Sequence, residues 1–168
     1  MELPQHLFNY VSSITPLISV ELIIKCPSNL VLLSWRDDGL YGPGWHLPGG
    51  VVRHKESLID RIHAVASTEC CIESFEPCTF LQVNQIMNPN RDLRGHFLAF
   101  AFGLSIDFVP SVDQRNPQNG SLGLFPTAPS NLIPQHRRYA NLINTFISGA
   151  TTPNDPAGNI CSEYIPLK

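Results

Sequence analysis

Residues 42–50 read GPGWHLPGG, followed by VVRHK (51–55) and ESLIDRIHAVASTECCI (56–72). The whole of 37–50 carries five glycines and two prolines, so most of it reads as loop, with Trp45-His46-Leu47 as a short strand. From Glu56 to Glu69 there is neither Pro nor Gly, which predicts a helix. On a helical wheel with Glu56 at the origin, Leu58, Ile59, Ile62, Val65 and Ala66 cluster around about 240°. Asp60, His63 and Ser67 take the opposite, polar side. Glu69 falls near about 220°, almost at the centre of the apolar face. An ionised carboxylate buried there needs a cation, a donor or an exit to water. Either it is a ligand, or the helix frays and Glu69 reaches solvent.

Outward from this stretch, residues 4–14 read as a short helix ended by Pro16. LISVELII (17–24) and Leu30–Trp35, joined by Pro27-Ser28-Asn29, read as a strand hairpin. Residues 78–87 and 95–106 are strand-like, and in the second His96, Leu98, Phe100, Phe102 and Leu104 share one face. A polar loop covers 110–120, a short strand 121–125. Pro134 stands where a first helical residue belongs. Tyr139, Leu142, Ile143, Phe146 and Ile147 then form an amphipathic helix. The tail from 151 to 168 reads as extended or partly disordered. Mixed strands and helices predict an α+β or α/β layered fold in one domain, 1–150.

The 168 residues carry a net charge of −3, and 15% are charged, against about 25% in an average domain. That excludes the broad positive field of a general nucleic-acid binder. No apolar run approaches the ~18 residues of a membrane span, and MELPQHLFNY does not read as a secretory leader. The expectation is a soluble, cytoplasmic domain with no nucleic-acid or membrane partner. Five cysteines, odd in number and without a CxxC spacing, read as ordinary thiols.

The order GPGWHLPGG, five residues, Glu56 and a helix ending in Glu69 resembles the Nudix hydrolases, whose signature is G-x5-E-x7-R-E-U-x-E-E-x-G-U, with U aliphatic. Gly50, Glu56, the seven-residue spacer and Ile72 fit. The charged core is reduced to Ala64-Val65-Ala66-Ser67-Thr68-Glu69, and Cys71 stands at the glycine. The GDP-mannose mannosyl hydrolase branch tolerates such erosion. Thr15-Pro16-Leu17, Glu21, Leu32-Leu33-x-Trp35-Arg36 and His96 are similar to that branch, over roughly residues 14–104.

The resemblance implies an α/β/α sandwich with a mixed β-sheet. It also implies a Mg²⁺-dependent hydrolase of nucleotide-diphosphate sugars, in which water attacks the anomeric carbon and releases nucleoside diphosphate and sugar. Glu69 and the Gly49 carbonyl would be metal ligands, in keeping with the oxygen preference of Mg²⁺. Arg36 would hold the terminal phosphate, and Glu21 and His96 would be active-site polar residues. The branch is often dimeric, so a homodimer is expected. The branch's arginines at positions 51 and 64 are replaced by Val51 and Ala64, which depletes the diphosphate clamp and leaves Glu56 without its partner. Arg53 is a candidate to compensate.

The branch's loop Gln and His after the long strand have no clear counterpart, and Gln114 is the nearest echo of the metal-binding Gln. Apart from the resemblance, Gln135 and His136 fall on the buried side of the last helix's first turn. The positive helix end keeps His136 neutral, so it is a candidate base, or else a histidine without chemistry. Two other readings stand beside this one: a Nudix pyrophosphatase attacking phosphorus, and a catalytically silent nucleotide-sugar binding module.

Overall fold

A computed structural model describes residues 4–39 and 42–150, and the backbone of 160–161. The apolar run Leu17–Cys26 becomes the central strand β1, buried along most of its length. It pairs in parallel with the alternating strand His96–Ser105 (β6) over Leu17–Lys25, and β6 pairs antiparallel with Cys78–Met87 (β5). Residues 160–161 (β8) add a short parallel strand outside β5. The rest of the expected tail lies outside the described residues.

On its other edge β1 pairs with Leu30–Arg36 (β2) only near their connecting turn, Ile24–Cys26 against Leu30–Leu32. Beyond it the two strands part. β2 takes Gly44–His46 (β3), while β1 takes Gly49–Val51 (β4), a strand the glycine-rich sequence did not suggest. The GWHLPGG segment therefore fills a fork in the sheet. Leu122–Phe125 (β7) pairs with the outer edge of β2.

The two faces of the sheet follow the period-two alternation of side chains. Val20, Leu22, Ile24, Phe102 and Leu104 pack against Ile62, Val65, Ala66 and Cys70 of helix α2 (Leu58–Cys70). Ile23, Val31, Leu33, Trp45 and Ala101 pack against Tyr139, Ile143 and Ile147. Ile143 and Ile147 belong to helix α3 (Ala140–Ser148), which a 3₁₀ turn over 134–139 precedes. Helix α1 (Gln5–Ile14) leads into β1. The result is the expected α+β, α/β/α sandwich with a mixed sheet. No helix among the described residues is long and apolar enough to cross a membrane.

Helix α2 starts one residue after its cap, Ser57, whose side chain accepts the Asp60 N–H. It ends in a left-handed turn at Cys71 (φ 56°), with Cys71 N–H donating to Ser67 O and Ile72 N–H to Ala66 O. A side chain in that conformation costs about 1–2 kcal/mol. Cys71→Gly is therefore expected to stabilise the chain by about 0.5–1 kcal/mol, net of glycine's extra unfolded-state entropy, as read by denaturant unfolding.

Candidate active site

The fork places two carboxylates on either side of one peptide. Leu22 N–H donates to Pro48 O and Val52 N–H to Ile18 O, so these are the bonded positions of the β1–β4 ladder. The intervening Glu21–Gly49 pair is then a non-bonded one, which turns both Gly49 peptide groups away from β1. Glu69, at the end of α2, accepts a hydrogen bond from the Gly49 backbone. The Glu21 carboxylate lies over the same glycine from the other face. A Cβ at Gly49 would fall on Glu21 Oε2 and 2.7 Å from Val20 O, so only glycine admits this approach.

Burial pushes the Glu21 carboxyl up to about 8, and the nearby charge of Glu69 adds to the rise. Burial likewise lifts Glu69 to about 7, against the Gly49 hydrogen bond and the Arg36 charge. Ser19 Oγ donates to Glu21 Oε1 at 3.3 Å, and Arg36 opposes part of the rise. Both carboxyls therefore keep their protons to an unusually high pH, and a cation between them would favour the release of those protons. Among the described residues, no three His, Cys, Asp or Glu side chains gather into a metal-holding group. Two carboxylates and a carbonyl edge match a hard cation that keeps several waters, so these residues fit Mg²⁺.

His136 caps Glu21, with Nε2 3.6 Å from Glu21 Oε2. Burial, with the charges of His46, Arg36 and Arg138, holds His136 well below the usual imidazole range. Burial and Arg36 also lower His46, to about 4. Both rings are neutral near pH 7. Tyr139, fully buried, backs the His136 ring with centroids 5.5 Å apart.

Of the residues expected from sequence, Glu21, Arg36, Gly49 and His136 line one cavity. Glu69 lines the adjoining grooves, one shared with Arg36, His46 and Gly49 and the other with Arg53 and Arg61. Two residues are not brought in. His96 shares a face with Leu98 and Phe102, and the parallel register pairs Glu21 with Ala101. His96 therefore stands on the α2 face, opposite Glu21, and its Nε2 lies 3.0 Å from Gln85 Nε2. Gln114 is exposed, and its Oε1 accepts the Leu124 N–H at 2.8 Å, which ties it to the β7 edge.

His136 needs a further correction. Its Nδ1 accepts the Leu47 N–H at 2.9 Å, so its one lone pair is occupied and it cannot serve as the base in this arrangement. Nor is Glu56 without a partner. Arg61 Nε and Nη2 clasp its two oxygens at 2.9 and 2.8 Å, and Arg53 N–H adds a third bond at 2.7 Å. The arginine has moved along the helix, from position 64 to position 61.

Among the ionisable residues that line the cavity, three are not singled out by the sequence: His46, Arg91 and Arg94. The arginines sit in the β5–β6 turn, where Arg94 adopts a left-handed backbone and lies 5.7 Å from the Phe8 ring. Arg94 Nε is buried with no partner. The available signal was the pair Arg91 and Arg94 in a chain with few charges, which had to be weighed against the arginines lost at 51 and 64.

No protein-family profile matches the chain. The low-salt glycan biosynthesis protein Agl8 of Haloferax volcanii is 28% identical over 134 residues, covering 77% of this chain and 83% of that one. The MutT Nudix hydrolase of Burkholderia pseudomallei superposes with a TM-score of 0.57 at 19% identity, over 79% of this chain and 98% of its own. The fold is the Nudix fold. The Nudix domain of Shewanella oneidensis NrtR, solved with ADP ribose, superposes at 0.52 with 18% identity, over 67% of this chain and 73% of that one. In this Nudix fold the box glutamates beyond Glu56 and Glu69 are gone: Val65 is core, and Thr68 Oγ1 donates to the Ala64 carbonyl of its own helix.

Proposed function

We propose that the protein is a Mg²⁺-dependent hydrolase of nucleotide-diphosphate sugars, with water attacking the anomeric carbon and nucleoside diphosphate leaving. The observation that carries this reading is the pairing of Glu21 and Glu69 across the Gly49 peptide, beside a cavity edged by Arg36, Arg91 and Arg94. Glu69, Glu21 and the Gly49 carbonyl would hold the cation, which supplies positive charge for the leaving diphosphate. Arg36, Arg91 and Arg94 bind and orient that diphosphate through rigid guanidinium forks. They take the place of the clamp arginines missing at 51 and 64.

Attack at carbon is favoured over attack at phosphorus because α2 offers one carboxylate to the site, where the full Nudix box offers several. The ADP ribose in the Shewanella domain and the glycan-biosynthesis name of the Haloferax relative support a nucleotide-sugar substrate. GDP-mannose is the substrate we expect, in a cytoplasmic enzyme that forms a homodimer.

Product analysis tests this directly. With GDP-mannose and Mg²⁺ the expected products are GDP and free mannose. GMP with mannose 1-phosphate would establish the phosphorus-attack reading instead. Calorimetric binding of GDP-mannose without any turnover would establish the silent module.

A further inference from the structure

The Leu47 backbone holds two imidazoles at once, through the peptides on either side of it. Its N–H donates to His136 Nδ1 at 2.9 Å, and its carbonyl oxygen lies 2.7 Å from His46 Nδ1. An amide N–H only donates and a carbonyl only accepts. Neutral His136 must then carry its proton on Nε2, and neutral His46 must carry it on Nδ1. The rings, with centroids 5.8 Å apart, are locked in opposite tautomers by the backbone of one residue.

The consequences differ for the two rings. His136 turns its Nε2–H toward Glu21 Oε2, 3.6 Å away, and so orients that carboxylate. His46 keeps a lone pair on Nε2, and no residue among those described is bonded to it. The His46 side chain lies between the cavity that holds Glu21 and the groove that holds Glu69 and Arg36, and lines both. It is the neutral ring nitrogen with a free lone pair at the junction of the proposed cation and diphosphate positions.

Resting on the hydrolase reading above, we propose that His46 is the general base and that His136 is a positioning residue for Glu21. His46 Nε2 takes a proton from the attacking water as the water oxygen bonds to the anomeric carbon. The bond from that carbon to the diphosphate oxygen breaks, and its electron pair leaves with the nucleoside diphosphate. The proton on His46 passes to solvent before the next turnover. The Arg36 charge, one cause of the low basicity of His46 in the free site, is offset when a diphosphate binds beside it.

Two measurements test the assignment. In the wild-type chain, two-bond ¹⁵N–¹H imidazole spectra are expected to show His46 protonated on Nδ1 and His136 on Nε2. A His46 ring protonated on Nε2 would overturn the proposal without any variant. In turnover of GDP-mannose, His46→Ala is expected to lower kcat by about 10²–10⁴-fold. KM and the Mg²⁺ midpoint should stay near wild type, and added imidazole should restore part of the rate, which a merely structural role would not produce. Undiminished kcat in His46→Ala, with an active wild type, removes the base and leaves the hydrolase reading standing. A wild type that hydrolyses no nucleotide-diphosphate sugar removes the hydrolase reading and the base together.

Discussion

Glu69→Gln is expected to lower Mg²⁺-dependent turnover by at least about 10²–10³-fold, the usual loss when one preorganised electrostatic partner is removed. The substitution preserves shape, and the Gln carbonyl can still accept the Gly49 backbone hydrogen bond that Glu69 receives. What disappears is the negative charge at the end of α2, and with it half of the carboxylate pair that suits a cation. The Mg²⁺ concentration needed for half-maximal rate should rise in parallel. Stability in metal-free buffer at pH 8 should not fall, because a half-buried ionised carboxylate is replaced by a neutral amide. Undiminished metal-dependent turnover in Glu69→Gln would exclude Glu69 from the metal site.

The second large effect is a linkage between pH, Mg²⁺ and stability. Glu21 and Glu69 release their protons at about 8 and about 7 in the fold, against 4.5 ordinarily. Between 4.5 and those values the folded chain holds protons that the unfolded chain has lost. Their contribution is therefore complete below 4.5 and declines as pH rises, by about 1.4 kcal/mol per pH unit for each group. The histidines act in the opposite sense. Below 6.5 the unfolded chain takes up protons that the fold refuses, down to about pH 4 for His46 and further for His136. Metal-free stability should thus peak between about pH 4.5 and 6.5 and fall on both sides.

A cation bound by the carboxylate pair reverses the alkaline loss, because binding to the folded state alone stabilises it. That gain is about 2.7 kcal/mol at a hundred times the dissociation constant. The expected result is a Mg²⁺-induced rise in Tm that is small at pH 5.5 and large at pH 8. A Mg²⁺ effect on Tm that is absent or independent of pH would dissociate the carboxylate pair from metal binding.

Much of the fold was legible because its signals are local. The alternation of His96–Ser105 and the apolar run of Leu17–Cys26 are properties of a few consecutive residues, and so are the apolar stripe of α2 and the Tyr139–Ile147 spacing. Glu69 was legible for the same reason: its wheel position conflicts with its charge, and the structure resolves the conflict with the Gly49 backbone. Strand β4 was not legible, because two glycines carry no strand propensity. It forms because the parting of β1 and β2 leaves a ladder edge on β1 for Gly49–Val51 to pair with.

The errors concern residues whose role depends on distant chain. His96 could be assigned a face shared with Leu98 and Phe102. Which side of the sheet that face would meet was decided by the parallel register of β6 on β1. The family resemblance puts Gln114 nearest to a metal-binding Gln, but β7, paired with β2, engages its acceptor oxygen through Leu124 N–H. The sequence puts His136 on the buried side of the last helix's first turn, whereas its place beside Glu21 and its tautomer, set by Leu47, 89 residues away in sequence, come from the tertiary structure.

By itself, the sequence determined a layered fold of mixed strands and helices and the helix that carries Glu69 on its apolar side, which follow from residue type and period along the chain. The Nudix architecture, and the absence of family charges at 51, 64, 65 and 68, were implied by the resemblance to that signature. Only the tertiary structure decided which arginines come together with these residues: Arg61 on Glu56, and Arg91 and Arg94 in the cavity that Arg36 lines. It also decided which histidine keeps a free lone pair. The physical reason is the same in each case. A charge or a proton acts over a few ångströms of space, whatever the separation in sequence, and only the folded sheet sets those distances.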